Sequence, residues 1–160
     1  MLDKTGVPTI EQIRSRFHDQ ATLVRPKAIL ECYENIPCNP CETSCPFNAI
    51  HIGEDINQKP VLDPDKCTGC GICVYSCPGL AIIVCQLINQ KARFKIPYEL
   101  LPIPKANEEW IAVDRSGNAI GTATIIKVDC LGKQQKTTIV TVEVPIEKLY
   151  EFITIRSPYE

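Results

Sequence analysis

Apolar positions along the chain follow two periods, and the change from one to the other divides it into segments. Ile10, Ile13 and Phe17 share one helical face, and Thr9-Ile-Glu-Gln12 fits a capping box. Residues 1–26 therefore predict an extension with one short amphipathic helix. A helix of that length is not stable alone, so it packs on its own chain or on a partner. Strand-like runs follow at residues 27–31, 49–52, 59–63 and 80–84. Pro97, Pro102 and Pro104 mark residues 89–108 as an extended linker. Beyond it, residues 110–113, 119–128 and 137–144 are rich in β-branched positions, with a turn at Asp114-Arg-Ser-Gly-Asn118. Pro145 opens a predicted helix in which Ile146, Leu149, Tyr150 and Ile153 share a face. Residues 109–160 thus predict a small antiparallel β-barrel or curled sheet capped by a helix, with Trp110 in its core.

Composition narrows the class. The 160 residues are 44% hydrophobic and 22% charged, the balance of a globular protein. A net charge of −2 without a Lys/Arg block argues against nucleic acid. No apolar run approaches the roughly 18–20 residues of a membrane span. The first residues lack a secretory pattern, which makes a cytoplasmic location the expectation. Ten cysteines are the anomaly, and in a reducing compartment they argue for metal over disulfides.

Their spacing carries the chemistry. Cys67, Cys70, Cys73 and Cys77, followed by Pro78, form C-x2-C-x2-C-x3-C-P. Three thiolates two residues apart on a winding loop can each reach a different iron of a cubane. Gly69 and Gly71 keep side chains out of that loop, and Pro78 fixes the backbone after the last thiolate. An imperfect copy lies 32 residues earlier, as Cys38-Asn-Pro-Cys41-Glu-Thr-Ser-Cys45-Pro46, and both copies continue into Ala-Ile at 49–50 and 81–82. Asn35 stands where the copy's first cysteine belongs, and Cys32 lies three residues upstream.

At these residues the chain resembles the dicluster bacterial-type ferredoxins, over roughly residues 27–85, within an expected ferredoxin-like domain at residues 27–88. The resemblance implies an α+β, ferredoxin-like module with two [4Fe-4S] clusters and crossed ligation. Carried onto matching positions, it gives Cys67, Cys70, Cys73 and Cys45 for one cluster. The other takes Cys38, Cys41 and Cys77, with Cys32 as inferred fourth ligand and Cys85 as its rival. A short helix is expected after each Cys-Pro. Ligation should supply much of the folding free energy, leaving the apo module loose. The wider pattern, most distinctively residues 36–50, looks like the small iron–sulfur subunits of flavin-dependent amino-acid, imino-acid or opine dehydrogenases. That implies FAD or FMN on partner subunits only, in a hetero-oligomer.

Other readings of the same residues are weaker in chemical terms. Structural zinc favours two separated C-x2-C pairs, a need that eight thiolates exceed. Cys130 reads as an ordinary strand or turn residue, and His18 and His51 belong to no ligand spacing. The chain shows no Gly-rich phosphate loop and no Ser/His or Cys/His pair, so no active site of its own is expected. A cubane with four cysteine ligands has every iron filled, which suits it to passing single electrons. An electron-transfer subunit is the leading reading, and a free-standing ferredoxin the alternative. Residues 109–160 are then a docking or shielding module, separable from the clusters.

Overall fold

A computed structural model describes residues 1–130 and 137–159. Residues 131–136 and 160, which belong to the predicted C-terminal module, lie outside the described residues. Among the described residues there are three short helices: α1 (Ile10–Arg16), α2 (Pro40–Ser44) and α3 (Ile72–Ser76). The strands are β1 (Lys27–Leu30), β2 (Ile50–His51), β3 (Val61–Leu62), β4 (Ile82–Ile88), β5 (Lys91–Tyr98), β6 (Glu109–Asp114), β7 (Ala119–Cys130), β8 (Thr138–Pro145) and β9 (Phe152–Arg156). Among the described residues no helix is long and apolar enough to cross a membrane.

Strands β1-β4-β5-β8-β7-β6-β9, in that spatial order, form one antiparallel sheet, and β2-β3 form a separate pair. The large sheet curls. Ile29 from one edge strand shares a core with Phe152 and Ile155 from the other, and the Phe94 and Phe152 rings lie 4.9 Å apart. Trp110, 1% exposed, sits in this core, its indole N–H donating to Glu108 at 2.9 Å. The N-terminal helix starts where its capping box requires, with Thr9 and Gln12 exchanging hydrogen bonds. It packs on its own chain: Phe17 meets Tyr150 edge-on at 5.2 Å, and Arg14 lies over the same ring.

Three element predictions are corrected. The stretch read as a linker contains β5, whose Ala92, Phe94, Ile96 and Tyr98 are all buried with period two. Pro97 is accommodated because β4 pairs with β5 only as far as Lys95, leaving β8 as the single neighbour there. The helix expected after Pro145 is one 3-10 turn, Ile146–Lys148, followed by β9. Its Ile-Thr-Ile run suits a strand better than a helix. The helices expected after each Cys-Pro instead precede it, ending at Cys45 and Cys77 as C-caps. The chain has to turn away at those residues, and both caps have extended backbone, with ψ of 109° and 114°.

Around the cysteines the fold obeys the 32-residue repeat. Leu30 pairs with Ile82 across β1-β4, and its repeat mate Leu62 pairs with Ile50 across β2-β3. Glu31 donates its N–H to the Ala81 carbonyl at 2.8 Å, as Asp63 does to Ala49 at 2.7 Å. Asn48 and Leu80, again 32 apart, both adopt left-handed backbone, with φ of 50° and 51°. A pseudo-two-fold therefore relates the two halves down to single hydrogen bonds.

Candidate metal centre

β1 and the Ile82–Cys85 part of β4 are buried on both faces, and this separates two environments. Ala28, Leu30, Ile82 and Val84 face the cysteine-bearing loops, whereas Ile29, Ile83 and Cys85 face the sheet core. Cys85, fully buried there, has its thiol pushed up to about 12 by burial. It lies on the opposite side of β4 from the loops.

Eight other cysteines gather in two groups. Cys45, Cys67, Cys70 and Cys73 line one recess, together with Ala28, Phe47, Ile50, Leu62 and Val84. Cys32, Cys38, Cys41 and Cys77 line a second, with Ile36, Pro60 and Ile82. Each recess draws three cysteines from one half of the sequence and one from the other: Cys67, Cys70 and Cys73 with Cys45, and Cys32, Cys38 and Cys41 with Cys77. The exchange follows from the helices. Cys41 and Cys73 sit within α2 and α3, which pack on each other, while the C-caps Cys45 and Cys77 turn into the neighbouring recess.

Backbone amides point at the sulfurs. Ala49 donates to Cys45 Sγ and Ala81 to Cys77 Sγ, both at 3.4 Å, a pair related by the repeat. Ala28 donates to Cys67 Sγ at 3.4 Å. The Cys67–Cys70 loop is held by cations: Lys27 Nζ donates to the carbonyls of Pro64 at 2.6 Å and Cys67 at 2.7 Å. Lys95 Nζ donates to Gly69 at 2.8 Å. On the other side Arg16 donates to the carbonyls of Cys32 at 2.6 Å and Pro60 at 3.3 Å. Gly69, at φ 68°, is required by crowding: a Cβ there would meet the Pro26 side chain at 2.5 Å.

Burial dominates the thiol chemistry. It raises Cys73 to about 12, with Cys67, Cys70 and Cys45 adding to the effect. It raises Cys41 to about 11, with Cys77 and Cys38 contributing, and it raises Cys32, with Cys77 next. These thiols stay protonated at neutral pH until a metal displaces the protons. Among the described residues no three His, Cys, Asp or Glu side chains are placed to share a single metal ion. The thiols ring two recesses instead. Four soft donors around an apolar recess, with amides directed at sulfur, fit a four-iron cluster in donor chemistry. His18 is half-buried and His51 exposed on β2, and Cys130 is exposed at the end of β7. Sequence spacing did not reveal Lys27, Lys95 or Arg16, since isolated cations carry no motif.

Residues 36–81 match the family model of the 4Fe-4S dicluster domain. No curated protein and no solved structure matches the chain. The matched span contains Cys38, Cys41, Cys45, Cys67, Cys70, Cys73 and Cys77, and Cys32 lies just before it. The chain therefore carries a dicluster domain that binds two [4Fe-4S] clusters, and its role is that of an electron-transfer iron–sulfur protein.

Proposed function

We propose that the chain is the electron-relay subunit of a flavin-dependent dehydrogenase that oxidises a C–N bond of an amino acid, imino acid or related amine. In this reading Cys45, Cys67, Cys70 and Cys73 hold one cluster, and Cys32, Cys38, Cys41 and Cys77 hold the other. The observation that carries the relay is the division of eight cysteines between two adjoining recesses. The clusters supply one-electron carriers. The chain's own residues fix their spacing through α2 and α3, exclude water with Ile50, Leu62, Ile82 and Val84, and direct amides at sulfur. Residues 27–88 are then a ferredoxin-like module fused to the curled sheet.

Support for a standing partner comes from the loop after β5. Leu100, Leu101 and Ile103 are 67%, 78% and 44% exposed, an apolar surface of the kind that partner proteins cover. The resemblance of residues 36–50 to dehydrogenase iron–sulfur subunits supplies the class of partner. The proposal also places the subunit in the cytoplasm, where thiols remain reduced. Anaerobic purification from the native host, with iron and flavin analysis of every co-eluting chain, tests it. The expected result is a stoichiometric FAD- or FMN-bearing chain that reduces the clusters when given its amine substrate. An iron-loaded monomer without a companion overturns the subunit reading and favours a diffusing carrier.

A further inference from the structure

The two cluster sites are related by the repeat, but their surroundings are not. We propose that the buried Lys27, aided by Lys95, sets the cluster at Cys45, Cys67, Cys70 and Cys73 at a higher reduction potential than its neighbour, so that reducing equivalents collect at the exposed Cys70 end. The inference rests on the ligand sets given under Proposed function.

Two differences act in one direction. The first is charge. Reduction adds an electron, so a nearby cation stabilises the reduced state, most strongly where water is excluded. Lys27 is only 8% exposed, and both of its carbonyl contacts lie on the loop that bears Cys67. Lys95 holds Gly69, between Cys67 and Cys70. The repeat supplies no equivalent of Lys27 on the other side except Lys59, which with Arg16 favours the Cys32 thiolate. Both of those side chains are half-exposed, and solvent and salt screen them more. Asp63 and Asp65 are the carboxylates near the Lys27 side. Asp63 is half-exposed and paired with Lys66 at 3.5 Å, and Asp65 is exposed, so neither offsets a buried lysine.

The second difference is solvent. Cys70 is the one exposed cysteine of the eight, and water stabilises the more highly charged state.

Potentiometric EPR on the iron-loaded protein, beside Lys27→Met, Lys95→Met and Arg16→Met, tests the proposal. The unmodified protein should show two couples. Lys27→Met and Lys95→Met should each shift the higher couple downward and leave the lower in place, while Arg16→Met should shift only the lower. Lys95 is half-exposed, so its variant carries the test if Lys27→Met fails to load iron. Coincident couples, or a lysine variant that moves the lower couple or neither, overturn the inference while leaving two clusters in place. Iron near half of the expected loading in the unmodified protein overturns the ligand reading itself.

Discussion

At the scale of single residues, the decisive position is Cys32, because it stands outside the repeat. Its mate 32 residues on is Pro64, while Asn35 occupies the place that Cys67 fills in the other half. The structure nevertheless sets Cys32 beside Cys38, Cys41 and Cys77, and buries Cys85 in the sheet core across β4. Cys32→Ala should therefore lower bound iron from about eight to about four atoms per chain, with the EPR signal of the Cys67 cluster retained. Cys85→Ala should leave iron unchanged and cost about 1–2 kcal/mol through the lost packing of one small buried side chain. Anaerobic reconstitution with iron analysis and EPR separates these outcomes, and loss of iron in Cys85→Ala would reverse the assignment. Cysteine positions were legible in the sequence because ligand spacing is set by the reach of the loop. The cations were not, because Lys27 acquires its role from carbonyls 37 and 40 residues away.

At the scale of elements, the sequence showed strands well where alternation was clean and poorly where proline or a chance helical period intervened. β8 was visible through its β-branched run, and the hairpin at residues 114–118 through its turn residues, with Asp114 accepting from Ser116 and Asn118. β5 was hidden by three prolines even though its buried positions alternate. α2 had a usable signal, Pro40 at its first turn, which the expectation of a helix after each Cys-Pro obscured. One connection no local pattern could show is Arg115, in the β6–β7 turn. It pairs with Glu31, just after β1, and donates to the Tyr150 carbonyl at 2.8 Å, just before β9. The Arg115 and Glu31 side chains are 7% and 8% exposed, so this pair ties the cysteine-bearing half to the far edge of the sheet out of water. Arg115→Leu leaves Glu31 buried and unpaired, and should cost about 3–5 kcal/mol. The double variant Arg115→Leu with Glu31→Leu should recover part of that loss. Anaerobic urea unfolding followed by fluorescence of Trp110 measures both, and equal losses in the single and double variants would show that the pair carries no coupling.

At the scale of the whole molecule, the sheet and the clusters share one framework. The composition shift after Cys85 suggested a separable C-terminal module, yet β8 pairs with β5 along its whole length, from Lys91 with Pro145 to Tyr98 with Thr138. Ile139 of β8 also joins the core beneath the cysteine loops, where it approaches Gly71. Deleting residues 109–160 removes Trp110, Ile125, Val142 and Phe152 from the core that β4 and β5 complete. Each such loss costs about 2–5 kcal/mol, against a total stability of about 5–15 kcal/mol for a domain. The truncated chain should therefore neither fold nor retain either cluster, and anaerobic expression followed by iron analysis and circular dichroism would show it. Removing iron from the intact chain should act differently. The sheet core contains none of the eight clustered cysteines, so its strand signal should survive chelation while the loops bearing them lose order. Retention of both clusters in the truncated chain would make the sheet an appendage; their loss makes it the frame that holds the relay in register.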